Sequence, residues 1–213
     1  PWSAAAWRRF GPSWISKAQI AEEAQVTKAA PGRRTPGSWV KSTLAMKQSR
    51  VEIRMAVAGE ASAIASVLAD SFAEYQALYT DEGFAATTPD TDRIRKRMSE
   101  GPLWVALQDE VVVGTVAAVS KGPAFYIRGM AVLPAVRGQK VGELLLAEIE
   151  NYAAVHGHQT LRLSTTPFLS RAIRLYEHFG FQRSSEGPHD LFGTPLFTMV
   201  KILRPAQNPG ASK

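Results

Sequence analysis

The alternation of hydrophobic and polar positions predicts strands and helices in mixed order. Apolar residues alternate over residues 51–57, which predicts a first strand, and then recur at helical spacing from 59 to about 78, which predicts a helix. The composition of residues 83–89 predicts a loop, and the charged segment 90–100 predicts a second helix. The first part of the pattern is therefore one strand followed by two helices.

Two apolar runs, over residues 103–107 and 111–119, are separated by a short polar turn, which predicts a β-hairpin. A further strand is expected over residues 125–133. Its apolar positions step by three and then by two, and one extra residue near Gly129 would produce that change of phase. The pattern therefore predicts a bulge in the strand that follows the hairpin.

The segment after this strand has the composition of a phosphate-binding turn. Pro134 ends the strand, and apolar positions at helical spacing predict a helix that begins near Arg137 or Gly138 and ends at 156–157. Gly138 and Gly142 would let the backbone approach a ligand closely, and the first-turn N–H groups of a helix have no partners inside it. An anion can bind those groups, although many such turns only connect a strand to a helix.

A strand and a short helix come next. Residues 160–165 alternate like a strand, and 170–179 form one apolar helix face that Gly180 would close. Together with the preceding turn, this helix resembles the GNAT acyl-CoA N-acyltransferase superfamily. Arg137 and Gly142 match the family's pyrophosphate loop, Q/R-x-x-G-x-G/A. The matches to its A-x-x-L-Y-x-x-x-G-F helix are Ala172, Leu175, Tyr176, Gly180 and Phe181.

The resemblance covers roughly residues 51–204 and implies an α/β (α+β) fold of the GNAT type. We expect a mixed central sheet of about six to seven strands, splayed between strands 4 and 5 and flanked by about four helices. Acetyl-CoA is the implied co-substrate, and its acetyl group would pass to a primary amine of a small molecule or peptide by direct attack in a ternary complex. The implied CoA-binding residues are Met130, Ala131, Val132, Arg137, Gly138, Gln139, Lys140, Val141, Gly142, Thr165, Ala172 and Tyr176.

Tyr176 matches the family tyrosine that lies near the thioester sulfur and can protonate the leaving thiolate. A tyrosine on an apolar helix face is otherwise a packing residue. By the same resemblance, the backbone N–H of Met130, Ala131 or Val132 would face the thioester carbonyl, whose oxygen becomes negative during the reaction. The resemblance therefore implies a catalytic acid on the last helix and an oxyanion donor on the bulged strand.

Lys140 departs from the family pattern, which has glycine at the centre of the loop. Two alternatives follow. Either the side chain points outward and adds a cation near the phosphates, or the residue takes a backbone conformation that weakens the phosphate site. The first is favoured, because a lysine in ordinary helical geometry costs nothing there and a basic group near phosphate is favourable.

The general base is not evident from the sequence. Many relatives carry a glutamate on the fourth strand, where this chain has Tyr126. Other candidates are Glu74 and Tyr75 on the first helix, and His189 and Asp190 in a loop expected before the last strand. We select His189 as the catalytic base, because its ordinary pKa suits the task. A histidine in a surface loop is usually inert, and the amine can also lose its proton to water.

The 213 residues carry a formal charge of +6, but the basic residues are unevenly distributed. Residues 1–50 hold nine Lys/Arg against two Glu, whereas the rest of the chain holds sixteen basic against seventeen acidic residues. We therefore expect a basic, disordered extension or leader over 1–50, an acyltransferase domain over 51–204 and a tail over 205–213. Nucleic-acid binding by the folded domain is disfavoured. The basic run over 93–97 is interpreted as a solvated helix face, although by the resemblance it lies where relatives place substrate-contacting elements.

The leader has two further interpretations. Its charge is that of an organellar transit peptide, although Glu22 and Glu23 weaken that case, and Met46 is an alternative natural start. No apolar run approaches the ~20 residues needed to span a bilayer, and the sequence has no cysteine for disulfides or thiolate metal sites. We expect a cytoplasmic protein without a metal or a membrane partner, and we leave a homodimer open. The alternative function is a non-catalytic, CoA-binding sensor of the same fold.

Overall fold

The structure, a computed structural model, describes residues 50–203. The predicted extension lies outside the described residues except for Arg50, and the predicted tail over 205–213 lies outside them entirely. The described part holds five α-helices and eight strands, and none of these helices is long and apolar enough to cross a membrane. Their bounds are β1 Val51–Met55, α1 Ala61–Phe72, α2 Asp81–Thr87, α3 Thr91–Glu100, β2 Leu103–Gln108, β3 Val111–Lys121, β4 Ala124–Val132, α4 Val141–Val155, β5 Thr160–Thr165, α5 Ser170–His178, β6 Gln182–Arg183, β7 His189–Leu191 and β8 Thr194–Ile202.

The strands form one mixed sheet in the order β1-β2-β3-β4-β5-β8-β6, with β7 also paired to β8. β4 and β5 run parallel, and the other neighbouring strands run antiparallel. The predicted fold class is confirmed, but the sheet has eight strands instead of six or seven. The prediction missed β6 and β7, which have two and three residues, because runs this short show no periodicity in the sequence.

The sheet opens between β4 and β5. Their pairing begins at Ala124 and Thr160 and ends at Ile127 and Leu163. Beyond that point, no described strand lies beside β4 on this edge, so the predicted splay between strands 4 and 5 is confirmed. The freed edge offers a row of backbone N–H and C=O groups to a ligand.

A bulge in β4 lies beside this opening. On the other edge of β4, the pairing with β3 jumps from Thr115↔Ala131 to Ala117↔Arg128, so two residues of β4 face one residue of β3. Gly129 is one of those two and has φ +59°, a conformation that glycine adopts without steric cost. The bulge predicted near Gly129 is therefore confirmed.

Helices pack on both faces of the sheet, because successive side chains of a strand point to opposite faces. Trp104 belongs to the core beneath α4 and α5, whereas its neighbour Val105 belongs to the core beneath α1 and α3. β4 contributes Phe125 to the first core and Ala131 to the second. The strand that lines the opening is therefore anchored on both faces.

Two segments before the hairpin differ from the prediction. The helix predicted from 59 to about 78 changes after α1 to a 3₁₀-helix over Ala73–Leu78. The loop predicted over 83–89 is largely helical, because it lies mostly within α2. Thr80 starts that helix, since its hydroxyl oxygen accepts a hydrogen bond from the Gly83 N–H over 3.1 Å. A short helix with a cap and few apolar residues is difficult to distinguish from a loop by periodicity.

Candidate active site

A cleft of about 740 Å³ lies at the opening between β4 and β5. Its walls come from β4 and the end of β5, the first turn of α4, helix α5, and the part of the chain from the end of α1 to α3, with single residues of β7 and β8. Gln139 and His189 are not among its lining residues, but eleven of the thirteen predicted site residues are. These eleven are Met130, Ala131, Val132, Arg137, Gly138, Lys140, Val141, Gly142, Thr165, Ala172 and Tyr176.

The turn between β4 and α4 departs from the prediction. One turn of 3₁₀-helix covers Pro134–Val136, and α4 begins at Val141 instead of near Arg137 or Gly138. Val141 and Gly142 line the cleft, so the unpaired first-turn N–H groups of α4 and the positive end of its dipole lie at the cavity. This arrangement suits an anionic group.

Lys140 is the N-cap of α4 and has a left-handed backbone, with φ +63° and ψ +10°. The assumption of ordinary helical geometry for this residue is therefore wrong. Its side chain is exposed, as the favoured alternative requires, but its backbone has a special conformation of the kind that the other alternative supposed. In this conformation the lysine Cβ crowds the following carbonyl oxygen, whereas a glycine would not.

Gly142 is closely packed on the side where any other residue would carry a Cβ. A Cβ on this residue would lie 2.8 Å from Leu175 Cδ2 and 3.4 Å from Met130 Cε. Gly142 therefore allows α4 to approach both α5 and the bulged strand, which is a packing role that the sequence did not reveal. Gly138 differs, because its φ is +83° and a Cβ there would meet no atom within 4 Å.

The Arg137 guanidinium is held by partners within the protein. Its Nη1 forms an ion pair with Glu74, and its Nη2 donates to the Ser71 carbonyl oxygen over 3.0 Å. Its Nε donates to the Val132 carbonyl oxygen over 3.4 Å. Arg137 therefore links the turn to the end of α1. A phosphate group that contacted Arg137 would share its guanidinium with these partners.

Backbone alternation in β4 distinguishes two of the three predicted N–H donors, Ala131 and Val132. The Leu133 N–H donates to the Val113 carbonyl oxygen over 2.9 Å, so it points toward β3. Neighbouring N–H groups of a strand point to opposite edges. The Val132 N–H therefore points toward the opening, whereas the Ala131 N–H points toward β3. Val132 is the better placed of these two to donate to a carbonyl oxygen in the cleft.

Tyr176 lines the cleft and is 7% exposed. Its hydroxyl donates a hydrogen bond to the Met130 sulfur over 3.7 Å. Burial raises the pKa of this hydroxyl well above its ordinary value, and the nearby Tyr79 raises it further. The phenol therefore remains protonated at neutral pH, and the same burial makes it a weaker acid than an exposed tyrosine.

The buried polar atoms Ser71 Oγ and Arg128 Nε lie at the cleft and have no hydrogen-bond partner among the described residues. A buried polar group without a partner costs about 1–3 kcal/mol. Both residues line the cavity, so a polar ligand there would be able to supply the missing partners. Thr165, the last residue of β5, is buried and lines the same cavity.

The candidate bases on β4 and near α1 differ in whether they line the cleft. Tyr126 and Tyr75 line the cleft, whereas Glu74 does not and is paired with a guanidinium. The lining residues include one carboxylate, Glu143, and it lies in the first turn of α4. The described cleft therefore has no carboxylate at position 126, where the resemblance implies a glutamate and this chain has Tyr126.

His189 and Asp190 begin the short strand β7, although the sequence predicts a loop there. Both side chains are exposed, and neither residue lines the cleft. Asp190 Oδ1 instead accepts a hydrogen bond from the Gly193 N–H over 2.8 Å, within the β7–β8 turn. The geometry thus gives His189 no support as a base. Among residues 50–203, no group of three or more His, Cys, Asp or Glu side chains is placed to hold a metal ion.

Arg97 lines the cleft, although the basic run that contains it predicts a solvated helix face. It is half-buried, and its Nη2 donates to the Ala86 carbonyl oxygen over 3.2 Å. Arg97 follows the fully buried Ile94 by three residues, which puts the two on one face of α3. That spacing is the feature of the sequence that would have separated Arg97 from its exposed neighbours.

Comparisons with known proteins give a consistent result. The sequence profile of the acetyltransferase (GNAT) family matches residues 65–181. An uncharacterized N-acetyltransferase, YjgM of Escherichia coli, is 33% identical over 126 residues, which are 56% of this chain and 75% of that protein. N-acetylaspartate synthetase of Homo sapiens is 32% identical over 88 residues, but the match covers 40% of this chain and 29% of that protein.

Solved structures agree at the level of the fold. The PaiA N-acetyltransferase of Thermoplasma acidophilum, solved in complex with coenzyme A, has a TM-score of 0.63 at 18% identity, over 72% of this chain and 99% of its own. YncA of Salmonella typhimurium, a putative acetyltransferase with its cofactor acetyl-CoA, has a TM-score of 0.58 at 22% identity, over 76% of this chain and 99% of its own.

Proposed function

Because this chain belongs to the GNAT acetyltransferase family, we propose that it transfers an acetyl group from acetyl-CoA to a primary amine of a small molecule or peptide. The observation that carries this proposal is the position of the Tyr176 hydroxyl, 3.7 Å from the Met130 sulfur at the opened edge of β4. A proton donor and a free strand edge therefore adjoin the same cleft. The CoA and acetyl-CoA complexes of the two similar structures support acetyl-CoA as the co-substrate.

Two parts of the cleft wall, the first turn of α4 and the free edge of β4, would bind acetyl-CoA. The first turn of α4, at Val141 and Gly142, would receive the pyrophosphate through backbone N–H groups. The pantetheine arm would extend from there along the free edge of β4, with the Val132 N–H left for the thioester carbonyl. In that pose the thioester lies against the bulge, close to Tyr176.

The chemistry is a direct transfer in a ternary complex. The neutral amine attacks the thioester carbonyl carbon, and the carbonyl oxygen becomes an oxyanion to which the Val132 N–H donates. The C–S bond then breaks, and the sulfur leaves with the electron pair. Tyr176 gives its proton to that thiolate. The phenol recovers a proton from the attacking amine or from solvent, so the products are an amide and CoA.

The deprotonation of the amine needs no side-chain base on this proposal. Tyr126 occupies the position where a carboxylate would be expected, and His189 lies outside the cleft lining. The amine therefore loses its proton to water before attack. The same observation favours a second candidate, a CoA-binding sensor that retains the fold and no longer catalyses transfer.

Titration calorimetry with acetyl-CoA, followed by thiol detection with a broad amine panel at about pH 6 to 9, tests both candidates. The proposed enzyme binds acetyl-CoA and releases thiol faster with at least one amine than with none. Binding without amine-dependent thiol release across the panel would identify the sensor. Absence of binding at near-millimolar acetyl-CoA would contradict both candidates.

A further inference from the structure

The wall of the cleft opposite α4 is basic. Arg97 from α3 and Arg128 from β4 both line it, next to the bulge. A Cβ placed on Gly129 would lie 2.9 Å from Arg97 Nη1, so this guanidinium lies against the backbone of the bulge itself. Gly129 immediately precedes Met130, whose sulfur accepts the Tyr176 hydrogen bond. A positive charge therefore lies close to the centre of the proposed reaction.

The protein neutralises only part of this positive charge, through Glu100. Arg128 is paired with Glu100, but Arg97 makes no ion pair among the described residues, and its one hydrogen bond goes to the Ala86 carbonyl oxygen. Arg128 also keeps a buried Nε without a partner. Burial lowers the pKa of Arg97, and repulsion by Arg128 lowers it further. Arg97 and Arg128 thus have one carboxylate partner, Glu100, between them, and some of their N–H donors remain unused.

The pyrophosphate site lies elsewhere in the cleft. Gly129 and Val132 are three residues apart on β4, which is roughly 10 Å along a strand, and the turn that leads to α4 lies beyond Val132. Arg97 lies on the α1/α3 face of the sheet, where a Cβ on Gly129 would also be 3.9 Å from Leu68 Cδ2. Val141 in the first turn of α4, in contrast, belongs to the core on the opposite face. The anion that Arg97 would bind belongs to the acceptor and not to CoA.

We propose that the amine substrate carries a carboxylate and that Arg97, beside Arg128, binds it. This inference rests on the proposed function and narrows it to amino acids and related amines. A guanidinium holds a carboxylate through charge-assisted hydrogen bonds, and a half-buried one does so more strongly than an exposed one. An amine with only positive charge would meet two guanidinium groups on this wall, because their carboxylate partner Glu100 is not among the lining residues.

Matched pairs of acceptors test the inference with acetyl-CoA held at saturation. Each pair is an α-amino acid and its primary amide, for example glycine and glycinamide, leucine and leucinamide, and phenylalanine and phenylalaninamide. We expect kcat/KM to be about tenfold or more higher for the acid in at least one pair. The amide has the less basic amine and so more of the reactive neutral form, which works against this result. An amide preference in every pair would overturn the inference and leave the proposed transfer intact.

Two variants of α3 assign the selectivity to one residue. Arg97→Gln keeps a donor for the Ala86 carbonyl oxygen but removes the charge, and we expect the ratio of kcat/KM for acid over amide to fall to about one. Arg95→Gln is the matched control, because Arg95 is exposed on the same helix and pairs with Asp92. A ratio unchanged in Arg97→Gln, or a weaker affinity of Arg97→Gln for CoA in calorimetry, would refute the assignment. Thiol release with another amine of the broad panel but with none of these acceptors would overturn the inference and leave the proposed function intact.

Discussion

The Tyr176 hydroxyl donates a hydrogen bond to the Met130 sulfur over 3.7 Å, and this contact joins α5 to the bulged part of β4. A thioether is a weak acceptor, so the bond itself contributes little to stability. The contact does, however, direct the hydroxyl of the buried Tyr176 toward the freed edge of β4. The contact therefore holds a proton donor beside the place where the thioester would lie.

Tyr176→Phe separates catalysis from packing at this position. The ring stays in the core, so we expect little change in melting temperature or in CoA affinity, while turnover falls by roughly 10- to 1000-fold. Steady-state kinetics, calorimetry and thermal unfolding of the same preparation supply the three measurements. Unchanged turnover would rule out the acid role, and a parallel loss of stability and rate would indicate a structural role for the hydroxyl.

Lys140→Gly should stabilise the protein. The left-handed backbone at φ +63° is unfavourable for lysine by about 1–2 kcal/mol, and the greater freedom of glycine in the unfolded chain offsets part of the gain. We expect a net increase of about 0.5–1 kcal/mol in the free energy of unfolding, measured with urea. CoA affinity should change by less than about threefold, because the exposed side chain contributes a screened charge.

Ala135→Gly is the control for that experiment. Ala135 is exposed in the 3₁₀ turn just before Lys140, where no left-handed backbone is present. A change to glycine should therefore destabilise the protein at this position by about 0.5–1 kcal/mol. If both glycine variants changed stability in the same direction, the effect at Lys140 would not come from its backbone conformation.

Features with local causes could be predicted from the sequence. The alternation over 160–165 gave the bounds of β5 as they are found, and the change of phase near Gly129 identified the bulge. Both depend on the period of a strand, which a few consecutive residues determine. Helix α5 was found from the period of a helix, which is equally local, and Tyr176 is buried on the face that its spacing predicts.

Features with distant causes could not be predicted. His189 was expected to reach the site from a loop, but its pairing with Leu196 of β8 places it in a strand outside the cleft lining. The spacing from Ile94 puts Arg97 on the buried face of α3, but its place in the cleft depends on the packing of α3 against α1, a contact between segments that the local pattern does not relate. The left-handed Lys140 depends on how the 3₁₀ turn meets α4, since lysine has no preference for that conformation.

Gly142→Ala tests whether close packing or ligand approach requires the glycine. The added Cβ would lie 2.8 Å from Leu175 Cδ2, so we expect a loss of about 1–3 kcal/mol in stability and weaker binding of acetyl-CoA. The double variant Gly142→Ala/Leu175→Ala removes the colliding methyl groups. A double-mutant cycle by urea unfolding should therefore show favourable coupling between the two substitutions.

Acetyl-CoA affinity in that double variant distinguishes the two roles of Gly142. If the backbone at Gly142 must approach the pyrophosphate, binding stays weak although the steric conflict with Leu175 is gone. If only the contact with α5 matters, binding recovers to that of Leu175→Ala alone. Calorimetry on the four proteins of the cycle gives the answer, and full recovery would mean that the first turn of α4 does not bind the pyrophosphate at Gly142.

The start of the domain should show a defined response to acid through Glu60. Its two carboxylate oxygens accept hydrogen bonds from Arg54 over 2.7 and 3.0 Å, and one also accepts from the Val57 N–H over 2.8 Å. The Arg54 hydrogen bonds are the main cause of a lowered pKa for Glu60, and the Val57 N–H lowers it further. The carboxylate therefore stabilises the fold above its ordinary pKa, and that contribution is lost as the pH falls through the lowered pKa.

Glu60→Gln should accordingly lower the melting temperature by a few degrees at neutral pH, and the difference from the unmodified chain should shrink as the pH falls to about 3. Glu52→Gln is the control, because Glu52 is an exposed carboxylate on β1 that makes none of these hydrogen bonds. Its difference from the unmodified chain should be small throughout. A Glu60→Gln deficit that stayed constant from neutral to acid pH would mean that shape, and not the ionised carboxylate, holds β1 to the turn before α1.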